Sequence, residues 1–466
     1  MRQLKDQAFA WLDHRTGIET SIRKFLYEDI PASSGWHQVF GSVAVFLFLV
    51  QAFTGILLAF NYAPTPGEAY NSMRYILTEV TAGRLMHGLH HWGASMMIVV
   101  VVLHMVQVFL FGSYKKPREA TWIAGVVLLL LTLCYGLTGY LLPWDNKAYW
   151  GTVVVTQIAA GVPLIGPYLS RLLGSTGDVG VVTFARFYAV HVLLLPPATG
   201  LLILGHIYLV RKHGVAPVPG DETQPAKKFY PRQAFLDTIA VFTAFVILFA
   251  LAVVAHLPLE RLADPSDAAY IPRPEWYYLF LFQMLKFFNG PMEVIGTVIL
   301  PGLAILLLIL VPFIDRGPLI RVSKRVFAAA FILLAGAGWG ALTYAAVRST
   351  PIPGAAASID YSGPIDWMQL TPAALAKGMD KAAPGFAVLG AKLFQRKGCA
   401  ACHMVNGAGG KLGPVLNGLS ARRNEQWVRE NFLHPQQMAP GTIMPAYNFS
   451  DGDMKNMIAY LFTIPE

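Results

Sequence analysis

Seven apolar runs dominate the sequence, and each is long enough to cross a membrane. They are centred on residues 38–60, 93–111, 121–142, 188–210, 234–256, 294–314 and 326–347. A transmembrane helix needs about 20 predominantly apolar residues to cross a hydrocarbon core roughly 30 Å thick. Hydrophobic residues make up 55% of the chain and charged residues only 14%, which is far from the profile of a soluble protein. The fold class predicted is all-α, a polytopic membrane helical bundle with seven transmembrane helices.

The basic residues predict how these spans are oriented. The formal net charge is +9, but the basic residues form no single patch, so no nucleic acid is expected as a partner. They gather before span one and in the loops that follow spans two, four and six, as Arg23, Lys115, Arg211 and Arg325 illustrate. Because cytoplasmic loops are rich in Lys and Arg, the N-terminus is predicted to be cytoplasmic and the C-terminus extracytoplasmic. Residues 1–36 are read as an amphipathic cytoplasmic segment on the lipid bilayer, not as a cleavable signal peptide.

The C-terminal part carries a motif for covalent haem attachment. Residues 351–382 are rich in Pro, Ala, Gly and Ser and predict a linker, and residues 383–466 predict a small helical soluble domain. Cys399, Cys402 and His403 form C-x-x-C-H, in which two thiols bond the haem vinyl groups and the imidazole ligates the iron. Covalent haem attachment occurs on the outer side of bacterial membranes. The motif therefore agrees with the loop charges and predicts a multi-pass protein of the bacterial inner membrane with a periplasmic C-terminal domain.

A sixth iron ligand is expected downstream of this motif. Met444 lies in a loop just before a final amphipathic helix and is the preferred candidate. The alternatives are Met438, Met454, Met457 and His434. Met454 and Met457 fall within the predicted helix, where packing is the simpler role. The remaining cysteine, Cys134, lies inside span three and is read as a small buried apolar side chain.

Histidines in span two have the spacing of haem ligands. His90 and His104 are 14 residues apart, so on a helix they lie about 40° from facing the same way and about 21 Å apart. The same arithmetic turns His91 about 140° and His87 about 100° away from His104. Only His90 and His104 therefore present two imidazoles on one face at two depths.

Span four repeats this arrangement with a 15-residue spacing between His191 and His206. Spans two and four run in the same direction, so His90 pairs with His191 near the outer face and His104 with His206 near the inner face. Two haems b with bis-histidine ligation are predicted, the alternative being packing histidines. Spans one and three also carry glycines 14 residues apart, which let a flat macrocycle approach the backbone: Gly41 with Gly55, and Gly125 with Gly139. Ordinary packing of small residues between membrane helices is the rival explanation for any single glycine.

Several motifs together resemble a known family. They are "HHWGASMM", "YKKPREATW", "TGYLLPWD", "RFYAVH" and above all "PEWYY". Over residues 20–348 the chain resembles the cytochrome b of the Rieske/cytochrome b (cytochrome bc complex) family, and over 383–466 it resembles a class I cytochrome c. The resemblance implies a four-helix haem b bundle at 37–215, a three-helix cytochrome b region with the PEWY loop at 216–350, and a cytochrome c domain at 383–466.

The resemblance also implies roles for individual residues. Glu275 and Tyr277 of the PEWY motif would belong to the outer quinol site, with Glu275 receiving a quinol proton, and Asp237 would protonate quinone at the inner site. Arg84, Arg186 and Arg211 are nominated as cofactor contacts. Two positions depart from the family. Val39 stands where the chloroplast type has a cysteine that bonds an extra haem, and His87 stands where relatives commonly have an arginine.

The function implied is that of a quinol–cytochrome c reductase, of which this chain would be the membrane core. Quinol would be oxidised at the outer face, with electrons crossing through two b haems and leaving by a Rieske protein to the fused haem c, coupled to proton translocation. The chain has three cysteines, two of them in the haem motif, so the Rieske cluster must belong to a separate protein. Other expected partners are menaquinone or another quinone, a downstream cytochrome c or terminal oxidase, and a second copy in a homodimer. The alternatives are a non-bifurcating quinol dehydrogenase with direct b-to-c transfer, and a haem-based membrane sensor or transporter.

Overall fold

The computed structural model describes residues 10–350 and 385–465, apart from 176–178, 220, 256, 258, 261, 264–269, 411, 440, 441 and 443. Within these residues seven helical segments are long and apolar enough to cross a membrane: Trp36–Ala59, Gly83–Phe111, Glu119–Tyr140, Val181–His213, Arg232–Val254, Gly290–Ile314 and Val326–Ser349. We number them span one to span seven. The all-α polytopic fold predicted from the sequence is thus confirmed, and four of the seven helices begin within three residues of the predicted apolar run, spans two, four and six beginning earlier.

The helices forming these spans alternate with shorter ones in the loops. In chain order the helices of the first half are α1 Ile18–Leu26, α2 Phe40–Ala59, α3 Ala69–Thr78, α4 Gly83–Phe111, α5 Glu119–Tyr140, α6 Asn146–Ala160, α7 Gly166–Leu173, α8 Val181–Ala189 and α9 Leu195–His213. The second half adds α10 Arg232–Val254, α11 Leu279–Leu285, α12 Leu300–Ile314 and α13 Val326–Ser349. The chain packs α4 against α2, α5 and α10, and α5 against α9 and α12.

Spans four and six each contain a π-helical turn followed by proline. Val190–Leu194 joins α8 to α9 and precedes Pro196, and Ile295–Ile299 precedes α12 and Pro301. Proline has no N–H, so the carbonyl four residues before it receives no helical hydrogen bond, which favours wider i to i+5 bonding. Each π turn accommodates one extra residue. The extra residue in the π turn of span four compensates for the spacing of its histidines, which are 15 residues apart where those of span two are 14 apart.

Short elements close the two ends of the bundle. At the end that bears the N-terminal segment, β1 Asp29–Ile30 pairs antiparallel with β2 Lys227–Lys228, with Ile30 opposite Lys227. At the other end, α3, α6 and α8 surround an apolar cluster that includes Tyr70, Trp144 and Phe184. Between the two ends, Leu47, Met97 and Leu248 pack where α2, α4 and α10 meet.

The C-terminal domain is a separate small helical unit. Its elements are α14 Gly385–Arg396, β3 Met404–Val405, β4 Ala408–Gly409, α15 Leu419–Arg422, α16 Glu425–Leu433, α17 Pro435–Met438 and α18 Asp451–Thr463. Its core is formed mainly by α14 and α18, with Phe394, Met454 and Met457 fully buried. The β3–β4 hairpin pairs Val405 with Ala408 directly after the haem motif. The predicted linker, 351–382, lies outside the described residues, and the domain boundaries remain a prediction.

Candidate functional site

His90 and His191 face each other between spans two and four. Their ring centroids are 6.4 Å apart. Metal–imidazole bonds are about 2.0–2.1 Å long, so this separation leaves room for one metal ion bonded to both rings. The ring pair required by the predicted outer haem is therefore present in the folded chain.

Two threonines orient these rings. Thr54 Oγ1 lies 3.0 Å from Nδ1 of His90, and Thr138 Oγ1 lies 2.9 Å from Nδ1 of His191. Each hydroxyl donates its own hydrogen to the carbonyl four residues earlier, at 2.7 Å and 2.8 Å. With that hydrogen used inside the helix, each threonine oxygen is placed to accept from the imidazole Nδ1–H, the tautomer that leaves both Nε2 atoms with lone pairs for a metal.

The second pair, His104 and His206, has no such hydroxyl partner. The two imidazoles are close enough to interact electrostatically. Neither Nδ1 atom has a hydrogen-bond partner among the described residues, although both are buried. Iron bonded at Nε2 would leave these Nδ1 atoms unchanged, so within the described part of the chain the second pair differs from the first in having no threonine acceptor beside its rings.

Each predicted glycine lies directly opposite one histidine. A Cβ on Gly55 would lie 3.1 Å from Cε1 of His90, and one on Gly139 would lie 2.7 Å from Cε1 of His191. The corresponding distances at the second pair are 3.7 Å from Gly41 to His104 and 3.5 Å from Gly125 to His206. The glycines of spans one and three thus make room for the rings of spans two and four.

These arrangements fit two bis-histidine haems. Among the described residues no group of three or more His, Cys, Asp or Glu side chains could hold a metal ion unaided. A haem requires only two axial ligands from the protein, because the macrocycle supplies the other four donors. Pairs of imidazoles opposite glycines suit that requirement, and the ligand assignments remain predictions.

The C-x-x-C-H segment in the C-terminal domain also fits a haem. Cys399 is buried, Cys402 is partly buried, and both are free thiols. Nδ1 of His403 lies 2.9 Å from the carbonyl oxygen of Pro414 and donates to it, which leaves Nε2 for iron. Burial lowers the pKa of His403, which favours the neutral imidazole that a metal ligand must be. A Cβ on Gly413 would lie 2.5 Å from the His403 ring, so this position suits glycine.

Among the candidates for the sixth ligand, Met444 differs from its rivals. Its sulfur accepts a 3.5 Å hydrogen bond from Nδ2 of Asn431, and the side chain is only partly buried against the domain core. Met454 and Met457 are fully buried in that core, as expected for packing residues. His434 is exposed and caps a short helix. This geometry keeps Met444 as the preferred ligand.

The PEWY segment lies at the end of the bundle that faces the C-terminal domain. Glu275 forms a 2.7 Å ion pair with Lys147, and the two side chains are 18% and 30% exposed. Burial alone would raise the pKa of Glu275, but the charge and hydrogen bond of Lys147 outweigh it and hold the pKa below its usual value. Tyr277 is buried, and its hydroxyl lies against Gly136. The segment therefore presents an ionised carboxylate in a largely apolar setting.

Lys147 is held at the start of α6. Asp145 caps this helix by accepting from the Ala148 N–H at 2.8 Å, and it also accepts from the Glu260 N–H at 3.2 Å. Burial raises the pKa of Asp145. The ammonium of Lys147 also lies 5.2 Å from the ring centre of Tyr140. Lys147 stands two residues beyond the quoted motif "TGYLLPWD", and sequence reasoning assigned it no role.

Sequence reasoning also missed Thr54 and Thr138. A signal was available, because each threonine directly precedes a predicted haem glycine, as Thr54-Gly55 and Thr138-Gly139. Position alone does not show that both hydroxyls reach an imidazole. That contact depends on how spans one and three pack against spans two and four.

At the opposite end of the bundle, Asp237 is part of a hydrogen-bond network. Its carboxylate accepts 2.8 Å bonds from Ser42 Oγ and from Gln233 Nε2. Arg211 forms a 3.1 Å ion pair with Glu28. The predicted inner-site residues thus lie at the end that carries β1 and β2.

The other two predicted cofactor arginines contact backbone carbonyls. Arg84 donates from Nε to the Leu77 carbonyl at 2.8 Å, and Arg186 donates to the carbonyls of Arg171 and Leu172. The ring of His87 lies 6.4 Å from that of His91, one helical turn away. The roles of Arg84, Arg186 and His87 toward a haem remain predictions.

Comparison with known proteins identifies the family. The model for cytochrome b/b6/petB matches residues 29–214, that for the C-terminal part of cytochrome b/b6/petD matches 262–357, and that for cytochrome c matches 387–465. Cytochrome b6 of Euglena gracilis is 37% identical over 210 residues, which cover 45% of this chain and 98% of that protein. The cytochrome bc complex cytochrome b subunit of Chlorobaculum thiosulfatiphilum is 36% identical over 320 residues, 67% of this chain and 74% of that protein.

A solved structure described as a hyperthermophilic respiratory Complex III has the same fold. Its matching chain is 28% identical with a TM-score of 0.65, and the match covers 74% of this chain and 92% of that chain. The protein thus belongs to the cytochrome b/b6 family, with a cytochrome c domain at its C-terminal end. It is a multi-span membrane electron-transfer subunit of a Complex III-like assembly and a haem protein.

Proposed function

We propose that this chain is the membrane core of a quinol:cytochrome c oxidoreductase that oxidises quinol at the end of the bundle bearing the PEWY segment. The observation that carries this proposal is the partly buried Glu275–Lys147 ion pair at that end, 2.7 Å long. A quinol must lose protons as it loses electrons, and a partly buried, ionised carboxylate is a suitable proton acceptor.

Glu275 is the general base in this proposal. Lys147 keeps its carboxylate ionised, so that it can accept a hydrogen bond from the quinol hydroxyl. The apolar surroundings include Tyr277, which is 8% exposed, and they limit the access of water. A proton taken by Glu275 then reaches the outer aqueous phase from this end of the bundle.

The haems would be held by the residues described above. His90 with His191 and His104 with His206 would hold two haems b, and Cys399, Cys402, His403 and Met444 would hold one haem c. When bound, these groups supply the one-electron carriers that join the outer quinol site to the inner quinone site and to the acceptor. Thr54 and Thr138 would fix the ligand tautomer at the outer pair, and Asp237 would deliver a proton to quinone at the inner site.

The proposal includes partners and an orientation. A separate Rieske iron–sulfur protein would take one electron of each quinol, since this chain has no cysteines to spare for such a cluster. The quinone would be menaquinone or a related quinone, the final acceptor a cytochrome c or terminal oxidase, and the assembly a homodimer. The N-terminus would face the cytoplasm and the cytochrome c domain the periplasm, with protons released on that side.

Optical spectroscopy of the purified protein tests the haem content of this proposal. A redox-resolved optical spectrum should show two b haems for each c haem. Substituting either outer histidine, as His90→Leu or His191→Leu, should remove one b haem and leave haem c in place. A preparation with no b-type haem would contradict the proposal and favour a transporter or sensor.

One observation favours the second candidate, a quinol dehydrogenase with direct b-to-c transfer. The loop around Cys399 contacts the cytochrome b part of the chain, through a 2.9 Å ion pair between Glu68 and Lys397. The two candidates differ in oxidant-induced reduction. With the inner quinone site blocked, a pulse of oxidant should reduce the b haems if the reaction is bifurcated, and should fail to reduce them if electrons pass directly to haem c.

A further inference from the structure

The haem-attachment loop of the C-terminal domain, residues 396–401, contacts one loop of the cytochrome b part, residues 66–71. Nζ of Lys397 lies 2.9 Å from Oε1 of Glu68. Nδ2 of Asn71 donates a 2.5 Å hydrogen bond to the carbonyl of Arg396. Residues 66–71 therefore recognise residues 396–401 by one ion pair and one side chain-to-backbone bond.

Glycines allow the two backbones to meet. A Cβ on Gly67 would lie 2.3 Å from the Lys397 carbonyl oxygen, and a Cβ on Gly398 would lie 2.3 Å from the Gly67 Cα. Gly398 also has a φ of +69°, which a residue with a side chain rarely adopts. A side chain at Gly67 would force the loops apart.

The contact covers the part of the domain that bears the haem thiols. Lys397 and Gly398 directly precede Cys399, and Ala401 packs against the apolar cluster of Tyr70, Trp144 and Phe184. Leu412, ten residues beyond Cys402, lies against Gly180, where a Cβ would be 2.6 Å from Cδ1 of Leu412. The attachment loop thus faces the cytochrome b part, and a soluble partner cannot reach that face at the same time.

The polar part of this contact is weak enough to form and break. The side chains of Lys397 and Glu68 are 32% and 38% exposed, and exposed ion pairs contribute little to stability. Covalent linkage compensates for weak contacts, because a tether raises the effective concentration of one domain at the other. A weak contact that forms repeatedly is what a domain with two successive partners requires.

We propose that residues 66–71 are a reversible docking site for the chain's own haem-attachment loop, 396–401. In the docked state this face of the domain is covered by the cytochrome b part. In the released state the same face is free to meet a soluble electron acceptor. The docking contact does not depend on the proposed quinol oxidation. The role of release, which is to let haem c meet an electron acceptor, rests on that proposed function.

Carbodiimide cross-linking of the full-length holoprotein in lipid nanodiscs tests the docking. The reagent condenses a carboxylate with an adjacent amine into an amide, so the Glu68–Lys397 pair should give a cross-linked peptide detectable by mass spectrometry. Glu68→Lys alone should abolish this peptide, and Glu68→Lys combined with Lys397→Glu should restore it. Raising the salt concentration should lower the yield by roughly two- to fivefold, as expected for an exposed ion pair.

Two glycine variants separate docking from general damage. Gly67→Val should lower the cross-link yield strongly while the haem c spectrum stays intact. The matched control is Gly161→Ala in another loop, where a Cβ would meet only carbonyl oxygens at 3.6 Å. Absence of the cross-link in the unaltered protein, or an equal yield in Gly67→Val, would refute the docking site.

A final measurement tests release. Haem c is reduced chemically, without quinol, and its oxidation by a soluble cytochrome c is followed before and after cross-linking. The rate should fall roughly tenfold in cross-linked protein, because association requires one specific patch to be free. Glu68→Gln protein treated with the same reagent should keep its rate. An unchanged rate in cross-linked protein would show that release is not needed and would overturn the two-state proposal, even if quinol oxidation itself proceeds as proposed.

Discussion

Thr54 and Thr138 illustrate how single hydrogen bonds decide chemistry at a ligand. Each hydroxyl is placed to donate its hydrogen within its own helix and to accept from an imidazole Nδ1–H. The acceptor increases the electron donation of the opposite ring nitrogen toward a metal. His104 and His206 lack this contact among the described residues. The two ligand pairs are therefore chemically different although their spacing is similar.

This difference predicts a redox effect at the outer pair. Thr54→Val keeps the side-chain volume but removes the acceptor, so His90 donates less electron density and the ferrous state gains relative stability. The midpoint potential of one b haem should rise by roughly 20–60 mV, the equivalent of about one net hydrogen bond for a one-electron couple. Potentiometric titration measures it. Thr132→Val is the control, because Thr132 bonds only the Leu128 carbonyl, and an equal shift there would contradict the assignment.

Lys147 carries a positive charge at a helix position that disfavours cations. It stands in the first turn of α6, where the helix dipole favours anions over cations. Its ion pair with Glu275 offsets that preference and compensates for the partial burial of both charges. The pair thus stabilises the carboxylate form of Glu275 without leaving an isolated charge in the loop.

Replacing Glu275 and Lys147 should alter quinol oxidation in different ways. Glu275→Gln removes the proposed base and should lower the rate by about 10²- to 10⁴-fold at all pH values. Lys147→Met should instead change how the rate of quinol oxidation depends on pH. Without Lys147, burial raises the pKa of Glu275, so the acid limb of the rate profile moves to higher pH while the plateau rate at high pH is retained.

Steady-state rates measured across pH test this prediction. Lys286→Met is the matched control, since Lys286 bonds Ser349 and Thr350 and does not contact Glu275. A profile for Lys147→Met that overlays the unaltered protein would exclude the proposed role of this lysine. Loss of activity at every pH would instead indicate a structural role.

At the scale of helices, glycine faces and π turns set the distances between spans. The glycines opposite His90 and His191 approach the rings more closely than those opposite His104 and His206. The π turn at Val190–Leu194 brings the 15-residue spacing of span four into line with span two. A straight α-helix would leave His191 and His206 about 60° out of phase.

Gly139→Ala tests the tighter of these contacts. The new Cβ would lie 2.7 Å from His191 Cε1, so the ring must shift and one b haem should be lost or bound substoichiometrically. Gly41→Ala, where the corresponding distance to His104 is 3.7 Å, should retain both b haems more fully. Haem content per polypeptide, from pyridine haemochrome spectra, gives the comparison. Equal losses in the two variants would contradict this reading of the helix packing.

The helices show most clearly which features of the fold and of the candidate site could be predicted from the sequence. Apolar run length was sufficient to locate all seven spans, since crossing a bilayer imposes a minimum length on each. Helical phase singled out His90 and His104 from four histidines, and their role as iron ligands stays a prediction. The π turn was not predicted, because periodicity arguments assume regular α-helices. The hydroxyl contacts of Thr54 and Thr138 were not predicted either, because they join different spans.

At the scale of the whole molecule, a charged cluster joins the two halves of the bundle. Asp315, after span six, lies 2.6 Å from Lys115 and 2.9 Å from Arg325, and it accepts a 2.6 Å bond from the Tyr114 hydroxyl. Lys115 and Arg325 are almost completely buried, whereas Asp315 is 39% exposed. The loops after spans two and six are therefore tied together by one carboxylate serving two cations.

Removal of this carboxylate should destabilise the protein. Asp315→Asn leaves Lys115 and Arg325 without their counter-charge and should cost about 1–3 kcal/mol, less than a fully buried pair because Asp315 is partly exposed. Hydrogen bonds from Lys115, Tyr114 and Arg325 outweigh burial and lower the pKa of Asp315. Its contribution is therefore present above the ordinary carboxyl pKa and is lost as pH falls through the lowered one.

Thermal unfolding in detergent at neutral pH measures the effect. Glu19→Gln is the control, because Glu19 forms only an exposed pair with Arg23 and should change stability by less than about 0.5 kcal/mol. Similar melting temperatures for Asp315→Asn and the unaltered protein would show that the cluster does not join the halves.

The sequence by itself determined the class of this protein. Run length, helical phase, loop charge and the C-x-x-C-H motif are local properties, and the physics of bilayers and haem ligation acts on them directly. Only the tertiary structure decided which side chains from distant segments meet. The pairing of Lys147 with Glu275, the threonines beside the histidines and the contact of Glu68 with Lys397 all join residues far apart in the chain. Such contacts depend on how helices and domains pack, which no periodicity within one segment encodes.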